Sequence, residues 1–194
     1  MRNNNKKQHI IDKGTLVLKE KGFNGSGIAE IIRRAKIPKG SFYYYFKNKE
    51  QFAVEVLEYY SQDLIEDVNK ILLNTNGSPV QRIIDLYSRQ IDNYISKKSF
   101  PYGSFASMIC QEIGETYSSI FKVSNKLFLD LRQVHVECIR QAIKAKELKP
   151  DANPEKLAEL ILYSWEGAVL RIKVNGNFDS LHIFMEMLIK TILK

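Results

Sequence analysis

The sequence predicts an all-α protein: a three-helix head followed by a longer helical bundle, about nine helices in all. Three observations carry this. Apolar residues recur at three- and four-residue steps almost throughout, strand-like alternation is nearly absent, and glycine and proline are sparse, 10 and 5 in 194 residues.

Each element has its own signal. Ile11, Gly14, Thr15 and Leu18 share one face of a first helix that ends at Lys21-Gly22, a basic last turn followed by glycine. Gly14 inside that helix costs about 1 kcal/mol relative to alanine, and so marks a close helix crossing. Gly27 caps a second, two-turn helix with Glu30 three residues on and Ile28, Ile31, Ile32 and Ala35 as its buried side. Lys36-Ile37-Pro38 is a tight break, because the residue before proline is pushed from helical angles. A third short helix follows from Lys39 to Phe46, and Asn48 caps a fourth that runs to about Leu73, before the break "NTNGSP". Further helices are expected at 79–97, 103–114, 118–147, 154–175 and 179–193, separated by "KKSFPYG", "GET", "KPDANP" and "NGNFDS".

The charge is unevenly spread. Residues 1–50 hold 12 Lys/Arg against 4 Asp/Glu, or +8; subtracting from the totals of 29 and 22 leaves 17 and 18, or −1, for the rest. A basic module joined to a near-neutral body points to a polyanion-binding head on a scaffold with another task. A merely solvated basic face is the plainer reading of the charge alone. Cys110 and Cys138 have no metal-ligand spacing, so neither a disulfide framework nor a zinc site is expected. The polar start "MRNNNKKQHI" lacks an apolar signal region, and no stretch approaches the roughly 18 apolar residues of a membrane span. The expected setting is a reducing cytoplasm, with no membrane partner.

Two short helices joined by a tight turn in a basic setting form a helix-turn-helix, whose second helix enters the DNA major groove. Within "KGSFYYYF", Phe42 and Phe46 are four apart and share the inward face. Tyr43 and Tyr44, with Lys39, Gly40 and Ser41, then form an outward early turn; Tyr45 is left undecided between surface and core. A tyrosine hydroxyl can bond a phosphate while its ring packs on sugar or a thymine methyl. Lys49, in the first turn of the fourth helix, adds a cation where free backbone N–H groups already favour phosphate.

The segment "KGFNGSGIAEIIRRAKIPKGSFYYYFKNKEQF" closely resembles the N-terminal domain of TetR-type transcriptional repressors: a Gly-Phe turn, a short helix, then a Gly-Ser/Thr-aromatic-Tyr recognition helix closed by Phe-x-x-Lys-Glu. The resemblance covers roughly residues 8 to 55. It implies a homodimer that binds double-stranded, two-fold operator DNA, with residues 1–48 as DNA-binding domain and 49–194 as ligand-binding and dimerisation domain. It also implies that Lys39, Gly40, Ser41, Tyr43, Tyr44, Tyr45 and Lys49 contact DNA, and that a small-molecule effector in the bundle switches binding. Two positions depart from the family pattern. Gly27 stands where a capping Ser or Thr usually contacts a phosphate, and Pro38 replaces a small polar cap of the recognition helix.

The last helix carries Leu181, Phe184, Met185, Leu188, Ile189 and Ile192, a regular stripe that another helix must cover. The helix before it offers Leu157, Leu160, Ile161, Ser164 and Ala168. In the family these two helices pair with their symmetry mates, so Leu160, Ser164, Ala168, Leu181, Phe184, Met185 and Leu188 are expected at the dimer interface, unless both stripes pack only within the subunit. Pocket candidates are Tyr102, Phe105, Met108, Phe128, Tyr163 and Trp165, a lining suited to an apolar or aromatic effector. "FPYGSFASMICQEIGE" resembles a segment that in one subgroup carries a glycine-cysteine pair for sensing electrophiles. Phe100 stands where that cysteine would be, so the chemistry is not carried over.

Enzyme signals are poor, and no cofactor is expected. "HVEC" at 135–138 has the His-x-Glu of zinc deaminases without the Pro-Cys-x-x-Cys, and "GFNGSG" lacks the strand and the spacing of a dinucleotide loop. The resulting expectation is a ligand-responsive regulator, most simply a repressor. The rivals are an effector-independent DNA-binding dimer and a helical enzyme with an acidic substrate.

Overall fold

The computed structural model describes residues 2–96, 105–113 and 116–193. Among these there are nine α-helices and no strand: α1 (Arg2–Gly25), α2 (Ile28–Ala35), α3 (Lys39–Tyr45), α4 (Lys49–Leu72), α5 (Pro79–Ser96), α6 (Phe105–Ile113), α7 (Ser118–Lys144), α8 (Pro154–Asn175) and α9 (Asp179–Met187), followed by a π-helical turn, Leu188–Ile192. All nine lie where the sequence puts them, to within a few residues.

The chain forms two compact units. The first comprises residues 1–62 and 105–126, so α6 and the start of α7 join the head and the first part of α4. Its centre is a cluster of phenylalanines. Phe42, Phe46 and Phe52 are all fully buried, with ring centroids 5.0 to 5.5 Å apart. Gly14 faces this cluster: an added Cβ would overlap the tip of Phe52 and stand 3.2 Å from Ile31 Cγ2. The close crossing inferred from Gly14 is therefore present, with α4 as the neighbour on the other side.

The ends of these helices show how the head is held. Gly22, at φ 72° and ψ 179°, breaks the helical run of α1 where the basic last turn predicted an end. Gly27 caps α2 through its carbonyl alone; Glu30 turns instead to Lys21 at 2.8 Å. Lys36 adopts a left-handed conformation, φ 51°, and the Ile37 N–H donates to Ile32 O at 3.2 Å, closing α2 with a Schellman turn that uses a lysine in place of glycine. His9 Nε2 bonds Ala35 O at 3.0 Å and ties α1 to that turn. The predicted cap of α4 is realised: Asn48 Oδ1 accepts from the Gln51 N–H and Gln51 Oε1 from the Lys47 N–H, both at 2.8 Å.

The second unit comprises residues 63–104 and 127–194. Arg82, buried, donates to Leu72 O at 2.9 Å, to Asn74 O, and to Gln141 Oε1 at 2.8 Å, satisfying carbonyls that the end of α4 leaves open. Asn153 caps α8 by accepting from the Lys156 N–H at 2.8 Å. At the centre lies an aromatic cluster of Tyr87, Tyr94, Trp165 and Phe184, with centroids 4.9 to 5.9 Å apart. Fully buried His135 lies at its edge. His135 Nδ1 is 2.8 Å from Leu131 O, which only accepts, so Nδ1 carries the proton and Nε2 accepts from the Tyr87 hydroxyl at 2.9 Å.

Candidate nucleic-acid interface

α3 begins after Pro38, whose extended backbone offers no side-chain cap, and its seven residues divide by side. Phe42 anchors it in the phenylalanine cluster. Tyr43 and Tyr44 are 46 % and 70 % exposed, as the four-residue spacing of Phe42 and Phe46 requires. Tyr45 is half-buried, its ring 4.9 Å from Tyr44 and 6.3 Å from Phe46. Lys39 is exposed, with its ammonium 5.9 Å from the Tyr43 ring. Gly40 is open to solvent, and a Cβ there would meet nothing in the protein. Ser41 accepts a hydrogen bond from Lys6 at 3.2 Å.

The electrostatics of the head become sharper once paired charges are set aside. Lys7 meets Glu55 at 2.5 Å, Lys21 meets Glu30 at 2.8 Å, and Arg34 holds Glu20 through both terminal guanidinium nitrogens. The Arg34 hydrogen bonds keep the Glu20 carboxyl below its usual pKa. Among the described residues, Lys36, Lys39 and Lys47 have no carboxylate within salt-bridge reach. Lys39 opens α3, and Lys36 and Lys47 flank it in sequence. Three of the head's uncompensated positive charges thus lie on the segment that also presents Tyr43 and Tyr44.

Lys49 points elsewhere. Its ammonium stands 4.4 Å from the Phe23 ring, and partial burial holds it below its usual pKa against the attraction of Glu112. Its four-carbon stem lets the charge turn toward α1 and α6, which spacing along the chain does not reveal. Glu112 is the centre of that contact. Its carboxylate accepts from the Asn24 N–H at 2.9 Å, its carbonyl accepts from Asn24 Nδ2 at 2.8 Å, and it fills the place a Cβ on Gly22 would need. Phe23 meets Tyr117 edge-on at 5.2 Å, and Ser119 donates to Glu50. Sequence reasoning missed this set, since nothing in the chain pairs positions 24 and 112.

The pocket candidates are spread over both units. Phe105 is buried against Tyr60 at 5.3 Å, and Met108 is partly covered; both belong to the first unit. Trp165 lies in the aromatic cluster of the second unit, Phe128 is partly covered, and Tyr163 is 68 % exposed. Tyr102 and Phe100 lie outside the described residues. Among the described residues no group of three His, Cys, Asp or Glu side chains could hold a metal.

The expected interface residues divide similarly. Leu181, Phe184, Leu188 and Ala168 are buried within their own chain, Met185 and Ser164 are half-covered, and Leu160 is 48 % exposed. The most regular stripe of α9 is therefore an intramolecular one, because α8 and α5 already cover it. A second stripe remains outside: Leu160, Tyr163, Gly167, Leu170 and Val174 on α8, with Ile183 and Met187 on α9. Its three- and four-residue steps are in the sequence, but polar neighbours blur them.

A buried aromatic anchor, an outward Tyr-Tyr turn and unpaired lysines on and beside the second helix of a tight helix pair define a helix-turn-helix DNA-binding regulator. Family comparisons agree over most of the chain. Residues 10–56 match "Bacterial regulatory proteins, tetR family", and residues 79–188 match "Tetracyclin repressor-like, C-terminal domain". The chain belongs to the TetR family of transcriptional regulators. It is 30% identical to the transcriptional regulator AcuR of Cereibacter sphaeroides, covering 91% of this chain and 80% of that one. It is 28% identical to the HTH-type transcriptional repressor DhaR of Mycobacterium sp. (strain GP1), covering 96% and 92%. Among solved structures, a regulatory protein TetR from Rhodobacter sphaeroides superposes with TM-score 0.86 at 29% identity over 93% of this chain and 95% of that one. The reduced form of E. coli NemR superposes with TM-score 0.87 at 23% identity over 95% of both, a likeness of fold. Among the described residues no helix is long and apolar enough to cross a membrane.

Proposed function

We propose that the protein is a cytoplasmic, homodimeric repressor that binds a two-fold operator through α3 and is released by a small apolar or aromatic effector. Residues 1–48 read DNA; residues 49–194 bind the effector and dimerise. The observation that carries the reading is the division of α3, with Phe42 fully buried while Tyr43 and Tyr44 stand outside beside Lys39. Gly40 supports it. A Cβ here would meet nothing inside the protein, so the glycine leaves the outward face of the first turn of α3 open to close approach from outside. Lys39, Gly40, Ser41, Tyr43, Tyr44 and Tyr45 meet bases and phosphates. With its ammonium over Phe23, Lys49 contributes through its backbone N–H in the first turn of α4.

Release follows from population shift: an effector that prefers one arrangement of the bundle draws the dimer from the head spacing that fits successive major grooves, about 34 to 36 Å. Duplex DNA flanking the gene, titrated with the wild type, Tyr43→Ala and Lys39→Gln, tests the reading. Each variant is expected to weaken binding about tenfold, and Lys39→Gln also to flatten the salt dependence. Unchanged, salt-insensitive binding in both would remove α3 from the interface.

A second copy covers the outer stripe of α8 and α9, as an isologous contact of the kind the family uses. Leu170→Glu with Ile183→Glu is expected to give a monomer in sedimentation equilibrium with its helical signal intact, whereas the buried Leu181 and Leu188 would unfold the subunit if charged. A dimer that survives both surface charges would move the interface elsewhere.

A further inference from the structure

We propose that Lys6 of α1 is a DNA-positioning residue, which brings a phosphate contact to the start of α3 and orients the Ser41 hydroxyl as a hydrogen-bond donor toward DNA. The inference rests on α3 being the DNA-reading helix.

Lys6 and Ser41 are 35 residues apart in sequence, and the fold sets the ammonium 3.2 Å from Ser41 Oγ. An ammonium has three protons and no lone pair, so Ser41 accepts. That commits one oxygen lone pair to the protein and leaves the single hydroxyl proton to point outward. The Ser41 backbone N–H is already used, donating to Pro38 O at 2.9 Å. A serine so arranged favours acceptors: a phosphate oxygen, or N7, O6 and O4 on base edges, over the amino groups of adenine and cytosine.

The Lys6 charge is also uncommitted. Its neighbour Lys7 is neutralised by Glu55 at 2.5 Å, but among the described residues Lys6 has no carboxylate within salt-bridge reach, and it is exposed. Two adjacent lysines thus have opposite fates. Only Lys6 can release a counterion from a DNA backbone. Its position also answers the two departures in the turn: with glycine at 27 and proline at 38, neither helix of the pair has a capping hydroxyl to offer a phosphate, and a cation delivered from α1 supplies a contact at the same edge.

The test is the slope of log Kobs against log [KCl] for the full chain on duplex DNA flanking its gene. Lys6→Gln is expected to lower the slope by about 0.9 per subunit, and Lys6→Arg to keep it. Lys7→Gln is expected to leave it unchanged. Ser41→Ala combined with Lys6→Gln is expected to lose less affinity than the two single losses added, because the hydroxyl acts through the lysine. A Lys6→Gln slope equal to wild type, with Lys39→Gln still lowering it, would overturn the role of Lys6 and leave the α3 reading standing. Wild-type binding with no salt dependence would remove both. Lys6 is exposed and its bond to Ser41 lies at the surface, so an unchanged thermal midpoint ties the effect to DNA.

Discussion

Phe52→Ala should lower the stability of the folded chain by about 3 to 5 kcal/mol, read as a drop in urea midpoint at unchanged m-value. The phenyl ring is fully buried, meets Phe42 and Phe46, and lies against the backbone of α1 at Gly14. Its removal empties a place where α1, α3 and α4 meet at one side chain. Gly14→Ala attacks the contact from the opposite side. A Cβ there has no room until the Phe52 ring moves, so overpacking of about 1 to 3 kcal/mol is expected despite the better helix propensity. Shortening Phe52 to Leu in the same chain should recover part of the Gly14→Ala loss. Strict additivity of the two changes would mean that the rings relax independently and that Gly14 does not set the helix distance.

Acid should weaken the second unit well before ordinary carboxylates titrate. Burial among apolar rings pushes the His135 pKa down to about 4, from an ordinary value near 6.5. The folded chain therefore holds His135 neutral while the unfolded chain binds a proton below pH 6.5. The sign follows: the contribution is complete above pH 6.5 and is lost as pH falls from 6.5 to about 4. Over that window the loss is about 3 kcal/mol, at up to about 1.4 kcal/mol per pH unit. The carboxylates with lowered pKa, Glu20, Glu66 and Glu186 through a hydrogen-bonded cation and Glu155 through a backbone N–H and then Arg140, act only below 4.5. Urea melts at pH 7 and pH 5 separate the two effects. His135→Gln should be less stable than wild type at pH 7 and nearly flat between the two pH values. An equally steep loss in the variant would place the acid-sensitive group elsewhere.

Helical period and break residues were enough to find all nine helices, and the i,i+4 rule was enough to divide Phe42 and Phe46 from Tyr43 and Tyr44. What stayed hidden has a common cause. Periodicity says that a face is covered, but not by what. The stripe through Leu181, Phe184 and Leu188 was legible as apolar, yet only the packing against α8 and α5 shows that the chain itself covers it, while Leu170 and Ile183 are left outside. Tyr163 read as an aromatic among aromatics, and its register on α8 turns it outward, opposite to Trp165 two residues on. Lys49 was legible as a cation at a helix start, but its ammonium folds back over Phe23. His135 showed no partner at a telling spacing, because Tyr87 is 48 residues away and Leu131 offers only backbone.

Asn24 and Glu112 are separated by 88 residues, and Glu50 and Ser119 by 69. Both contacts close within the same compact unit as α3. A chimera that exchanges residues 1–48 between relatives would carry the reading helix across but leave behind Phe52, Glu50 and Glu112. Its α1 would meet a foreign ring at Gly14, and Asn24 would face a foreign side chain in place of its carboxylate. The portable piece is discontinuous: the stretch to residue 62 together with 105–126. Recombination in this architecture is expected to succeed at breakpoints inside α4 and α7, and operator preference should travel as a two-part inheritance.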